Sequence, residues 1–303
     1  MTTLTIRHLA TATALAAAAL TMAPAAHAGT AAKSKYPVVL VHGFIGFDSI
    51  LGIDYFYQII GALEKEGAKV YVASVNPSNT TEFRGEELNK QLDQWKAKDK
   101  VAKFNLIGHS QGGPTVRYSA ATRSDVVSVS TMSGTHYGSL VADRILAGTT
   151  ADGGFDKAAT SGLKLIGWLS GNKSYKEADL KVSLAALTHA GADAFNAKFP
   201  AGQKLEKDNG QYFYSYAGNV VKTNAWDISD SLLTYAGSDY YAGAANDGLV
   251  SPAEATWGKP VNMALPWNHL DEINQVLGTI GKGAPEPTTY YVSMVNRLKL
   301  KGL

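Results

Sequence analysis

The segment Lys103-Phe-Asn-Leu-Ile-Gly108-His109-Ser110-Gln111-Gly112-Gly113-Pro114 leaves the chain little freedom. A short apolar run meets a Gly-x-Ser-x-Gly pentapeptide and then a helix start, which predicts strand, tight elbow and helix in that order. Glycines on both sides of Ser110 let strand and helix approach without a Cβ clash, and a strained turn lifts the serine hydroxyl clear of the sheet. Such an elbow needs a sheet to stand on.

The flanking segments supply one. Tyr36-Pro-Val-Val-Leu-Val41 is a continuous β-branched run without polar alternation, as expected of a central strand covered on both faces. Phe56, Ile59, Ile60 and Leu63 share one face of a helix that Gly67 is placed to end. Val70-Tyr-Val-Ala73 predicts the next strand, and Leu88, Leu92 and Trp95 mark a helix with acids near its start and lysines near its end. Val126 to Met132 extends the sheet beyond the elbow strand. Strands alternating with helices predict an α/β fold with a doubly wound, mostly parallel central sheet and helices on both faces.

From Leu140 to about Pro200 the strand pattern stops, and Phe155, Ala159, Gly162, Ile166 and Leu169 line one face beside Trp168. A helical insertion above the sheet is expected over about 140–200. Gln211-Tyr-Phe-Tyr-Ser-Tyr216 resumes the strands, with aromatics expected to pack. A helix carrying Ile273, Val276 and Leu277 is expected after Asp271, and a last one with Met294, Val295 and Leu298 on one side. No linker divides residues 29–303, so one domain is expected.

Composition narrows the class. With 303 residues, 45% hydrophobic and 18% charged, the chain can bury a full core, and a formal net charge of +2 implies no nucleic-acid partner. Residues 1–28 differ from the rest: Arg7 and His8 precede an apolar run from Leu9 to Met22, and Ala26-His27-Ala28 has the form of a cleavage site. This predicts a secretory signal peptide cut near Ala28, a mature chain without a transmembrane segment, and release through the periplasm to the outside. There is no cysteine, so packing or a bound metal must staple the exported chain.

A serine hydroxyl is a poor nucleophile at neutral pH unless an imidazole accepts its proton and a carboxylate orients that imidazole. Of seven histidines, His8 and His27 leave with the signal, His42 and His109 sit in turns beside the elbow, and His136 and His189 precede the later strands. The order serine, acid, histidine, with the histidine after the last strands, leaves His269. The late acid candidates are Asp227, Asp230, Asp239 and Asp247. Asp247 lies between Asn246 and Gly248 in a tight-turn context, whereas Asp227 and Asp230 read equally as helix caps. The oxyanion formed on attack needs backbone donors, and the N–H groups of Gln111 and of Phe44, in the loop after the first strand, are placed to serve.

Four motifs, Tyr36-Pro-Val-Val-Leu-Val-His-Gly-Phe, Asn105-Leu-Ile-Gly-His-Ser-Gln-Gly-Gly-Pro, Ala245-Asn-Asp-Gly-Leu-Val and Asn268-His-Leu-Asp-Glu-Ile-Asn-Gln, resemble the family I true lipases secreted by Gram-negative bacteria. The likeness runs from about Tyr36 to Leu298. It implies an α/β-hydrolase with Ser110, Asp247 and His269 as triad, acting on triacylglycerol at an oil–water interface, and a lid around Asp152 to Ser170. It also implies a structural Ca2+ held by Asp227, Asp271 and the carbonyls of Gln275 and Thr279, oxygen ligands suited to a hard cation, and a dedicated membrane-anchored foldase during export. The chain departs from its relatives in having no cysteine for their disulfide and Phe44 where methionine is common. Two rival readings follow from the same residues: a short-chain carboxylesterase or polyester depolymerase, and a catalytically silent binding protein on a hydrolase scaffold.

Overall fold

The computed structural model describes residues 29–44, 49–50, 53–148, 177–234 and 240–303. The expected signal peptide, the stripe from Phe155 to Leu169 with the lid around it, and Asp239 lie outside the described residues.

A seven-stranded sheet carries the molecule. Its strands are β1 (Val38–Val41), β4 (Val70–Ala73), β5 (Phe104–His109), β6 (Val126–Met132), the short β7 (Lys207–Asp208), β8 (Gln211–Gly218) and β9 (Lys259–Leu265). Strand β4 lies beside β1, then β5, β6 and β8 follow, with β9 parallel to β8; only β7 runs antiparallel, against the start of β8. A separate two-stranded ribbon pairs β2 (Ser49–Ile50) with β3 (Ile53–Asp54). Among the described residues no helix is long and apolar enough to cross a membrane.

The uninterrupted apolar strands find their explanation in the two cores. Val38 and Leu40 of β1 face one layer with Ile107, Met132 and Tyr214, while Val39 and Val41 face the other with Leu106 and Val129. Successive side chains point to opposite faces, so a strand covered twice must be apolar at every position. Helices α1 (Ile59–Lys65) and α8 (Pro287–Leu300) cover the first layer. Helices α2 (Thr81–Asp99) and α3 (Gly112–Thr122) cover the second. In β6, polar residues are also fully buried, and Ser128 Oγ donates to Asn105 Oδ1 at 2.6 Å.

Near the insertion, α4 (Leu140–Ala147), α5 (Glu177–Leu187) and α6 (His189–Lys198) are seen, followed later by the short α7 (Ile228–Leu233). The expected aromatic packing is met, with Phe213, Tyr214 and Tyr216 all buried. The helix expected to carry Ile273, Val276 and Leu277 is not formed. A single 3-10 turn, Asp271–Ile273, ends at Asn274, and Asn274, Val276, Leu277 and Gly278 all take positive φ. A helix requires negative φ throughout, so this left-handed stretch turns the chain aside and leaves Leu277 exposed.

Candidate active site

Strand β5 delivers the elbow at the carboxyl end of the sheet. Ser110 has φ of +56°, a left-handed conformation that costs a non-glycine residue about 1–2 kcal/mol. The turn is fixed from both sides, since Ser110 N donates to Met132 O at 3.0 Å and Gly113 N to Ser110 O at 2.9 Å. A Cβ on Gly108 would lie 2.3 Å from Gly112 O, and one on Gly112 2.3 Å from Val41 O. Larger residues at either position would drive strand, elbow and helix apart.

The loop after β1 lies directly over the serine. A Cβ on Gly43 would stand 2.6 Å from Ser110 Cβ and 3.1 Å from its Oγ. The N–H groups of Phe44 and Gln111 have no hydrogen-bond partner among the described residues. The peptide joining Gly43 to Phe44 is planar and trans, so whatever holds Gly43 O also aims Phe44 N–H. His42 Nδ1 lies 3.0 Å from that oxygen. Arg84, fully buried, reaches it through Nη2 at 3.2 Å and His42 O at 2.6 Å, while its Nη1 donates to Asn76 O at 2.6 Å. Burial lowers the Arg84 guanidinium to about 10, which keeps it charged at neutral pH.

The acid and histidine arrive from distant segments and meet. His269 Nδ1 lies 2.8 Å from Asp247 Oδ2, and His269 N donates to Asp247 O at 2.8 Å. Asp247 is fully buried, and its Oδ1 accepts from Leu249 N at 2.9 Å and Val250 N at 2.7 Å. Burial alone would raise this carboxyl; His269 and the two N–H groups outweigh it and hold it below the usual range. An ionised Asp247 only accepts, so the shared proton sits on Nδ1 and leaves Nε2 as the basic nitrogen. The His269 ring packs on that of His109, the residue before the serine, at 4.5 Å between centroids. Ser110 Oγ makes no hydrogen bond among the described residues. Serine–histidine contacts are commonly loose before substrate binds and tighten in the complex.

Three residues without a role in the sequence reading complete the surroundings. Tyr55 Oη accepts from Gly43 N at 3.2 Å and lies 2.6 Å from His109 Nδ1, and His109 Nε2 lies 3.0 Å from Glu272 Oε2. Burial lowers His109, so the ring is neutral, and with Tyr55 donating to Nδ1 its proton sits on Nε2. Glu272 Oε1 accepts from Gly218 N at 2.7 Å and from Ser133 Oγ at 2.5 Å. Its carboxyl is raised by burial and by the Asp247 charge. His109, His269 and Glu272 bring possible metal ligands within 4.8 Å of one another, yet both nitrogens of His109 and Nδ1 of His269 are already engaged. This is a hydrogen-bonded brace around the elbow.

Of the residues expected to hold calcium, the two acids lie beside the His269 segment. Asp227 caps α7 through Ser229 N at 2.7 Å, and Asn268 Nδ2 donates to Asp230 Oδ1 at 2.9 Å. Asp271 is fully buried, and among the described residues its Oδ1 has no hydrogen-bond partner. Burial, with the charges of Asp227 and Asp230 added, pushes the Asp271 carboxyl up to about 8. No lysine or arginine pairs with these acids among the described residues. The carbonyls of Gln275 and Thr279 accept no hydrogen bond there either. A buried carboxylate oxygen without a donor, two spare carbonyls and an uncompensated acidic cluster are the donor set of a hard cation, so the residues fit calcium.

Comparison with known proteins bears on the fold and the family. Residues 36–153 match the alpha/beta hydrolase fold family. A triacylglycerol lipase of Vibrio cholerae is 40% identical over 284 residues, covering 89% of this chain and 90% of that protein. One from Burkholderia plantarii is 35% identical, covering 95% of this chain and 93% of that protein. Among solved structures, a Bacillus licheniformis lipase superposes with a TM-score of 0.62 at 17% identity, covering 88% of this chain and 93% of its own. A Staphylococcus hyicus lipase gives 0.60 at 20% identity over 88% of this chain and 96% of its own, a likeness of fold. An elbow serine on a mostly parallel sheet, with identity of this extent along nearly the whole length, places the chain in the α/β-hydrolase family of triacylglycerol lipases.

Proposed function

We propose that this lipase cleaves its ester by acyl transfer through Ser110, with His269 as the general base and acid and Asp247 as the group that holds His269. The supporting observation is the Asp247–His269 pair, joined at 2.8 Å and packed against the elbow that presents Ser110. Ser110 Oγ attacks the ester carbonyl as His269 Nε2 takes its proton, and the N–H groups of Phe44 and Gln111 receive the developing oxyanion. His269 then returns the proton to the leaving glyceride oxygen. Water attacks the acyl-enzyme by the same route and releases the fatty acid. A fluorophosphonate probe is expected to label the purified protein at one position, Ser110, as mapped by peptide mass spectrometry; labelling elsewhere, or none, removes the mechanism.

Asp227, Asp271 and the carbonyls of Gln275 and Thr279 are proposed to hold one Ca2+. When bound, the ion supplies positive charge that offsets the buried acids and ties the loop after His269 to the loop before α7. Asp271 stands two residues after His269, so that tie also steadies the histidine. At 1,000-fold excess over its Kd a ligand stabilises by about 4 kcal/mol, so chelation with EDTA should lower Tm by on the order of 10 °C. Activity should fall with it and return on adding calcium; an unchanged Tm and rate would remove the ion. Residues 1–28 are proposed as a secretory signal that leaves residues 29–303 as one exported domain, with the segment around 152–170 as lid and a foldase assisting its export.

A further inference from the structure

Seven large hydrophobic side chains are exposed among the described residues, and three of them lie on two segments that are hydrogen-bonded to one another, one of which follows His269. Trp226 is 88% exposed, Ile228 59% and Leu277 65%. Trp226 and Ile228 flank Asp227 in the segment after β8, and Leu277 sits in the left-handed loop after the His269 segment. The two segments are tied together. Asn224 Nδ2 donates to Ile280 O at 2.8 Å, Trp226 N donates to Asn224 Oδ1 at 3.0 Å, and a Cβ on Gly281 would lie 3.1 Å from Thr223 O.

Lys222 and Lys282 are exposed on the same two segments, and neither is in an ion pair among the described residues. Val276 and Leu277 take φ of +53° and +57°. A loop that strains its backbone and still leaves a leucine in water is not explained by packing within the chain. An indole and two aliphatic groups on segments that also carry exposed ammonium groups match one surface chemistry: an apolar phase whose boundary carries anions. Hydrolysis of triacylglycerol makes such a boundary, because the released fatty-acid carboxylates collect at the oil surface.

The geometry points to Trp226, Ile228 and Leu277, with Lys222 and Lys282, as a surface that anchors the enzyme on its oil–water interface, separate from the groups that do the chemistry. Apolar side chains enter the lipid boundary while the lysine heads remain in the aqueous layer beside fatty-acid anions. The anchor adjoins Asp227, and a short stretch of chain links it to His269.

The test uses the full mature enzyme in calcium-containing buffer, with a triolein emulsion containing a little oleate as the surface and dissolved p-nitrophenyl butyrate as the reference ester. Trp226→Ser combined with Leu277→Ser should reduce adsorption to the emulsion, and hydrolysis at low interfacial area, by about tenfold or more, given the methylene and ring surface withdrawn. Tm and turnover of the dissolved ester should be unchanged. Lys222→Glu with Lys282→Glu, which leaves the apolar groups and the fold alone, should weaken adsorption several-fold and abolish its salt dependence. Unchanged adsorption in both variants overturns the proposal. An equal loss on dissolved ester also overturns it and makes the patch part of the site, and reduced export yield with normal adsorption overturns it in favour of a protein partner.

Discussion

Ser110→Ala is expected to lower kcat on any ester by about 10⁵–10⁶-fold while leaving the fold intact. Removing the nucleophile of a serine hydrolase costs that much because the remaining catalysis, from binding and the oxyanion donors, amounts to only about 10³–10⁴ over water. The variant should also escape fluorophosphonate labelling. Its stability carries a second, independent reading of the elbow. Ser110 is held at φ of +56°, and alanine in the same place keeps that strain, whereas glycine removes it. Ser110→Gly should therefore be more stable than Ser110→Ala by about 1 kcal/mol, or a few degrees in Tm. Equal stabilities would mean that the elbow stores no strain. Substantial hydrolysis by either variant would mean that another group attacks the ester.

The strain at Ser110 shows which parts of this protein are legible in sequence. The elbow is local, written by glycines whose roles appear as soon as a Cβ is imagined on them, and Val70–Ala73 is a strand with the bounds its β-branched run suggests. The Asp247 turn was legible for the same reason, because Asn246 and Gly248 shape it within a few residues. His269 followed from chain order. Arg84 left no such trace. On its helix it reads as one more polar position, and its purpose exists only across 42 residues of chain to His42 O. Glu272 is more remote still, 163 residues from the His109 it braces. Buried polar groups are chosen by the partners tertiary structure brings to them, and periodicity carries no information about that. The loop after Asp271 misled in the opposite sense: Ile273, Val276 and Leu277 have helical spacing, but a left-handed backbone takes the place of the helix, so that Ile273 is buried, Val276 packs partly against the core and Leu277 is exposed.

Arg84→Met tests how far the oxyanion loop depends on that unseen residue. Methionine fills much of the same space but withdraws the donors from His42 O, Gly43 O and Asn76 O. Buried acceptors left unpaired cost about 1–3 kcal/mol each, and Gly43 O keeps His42 Nδ1 at 3.0 Å, so a loss of at least about 2 kcal/mol and a fall in Tm of about 5 °C or more are expected. The catalytic consequence runs through one rigid peptide. With Gly43 O left to His42 Nδ1 alone, the plane that carries Phe44 N–H, the proposed oxyanion donor, is held less firmly, and a misdirected donor costs about 10²–10³ in kcat. KM on a dissolved ester should change much less, since the donor acts chiefly on the transition state. The rate of phosphonylation of Ser110 should fall in parallel with kcat, because that reaction also builds negative charge on the oxygen that the proposed donors Phe44 and Gln111 would receive. Arg84→Lys should recover only part of the loss, as one ammonium cannot reproduce a planar fork that reaches three carbonyls in different directions. If Arg84 serves folding alone, kcat per phosphonate-titrated site would be unchanged while Tm fell, and the link from α2 to the oxyanion would be broken.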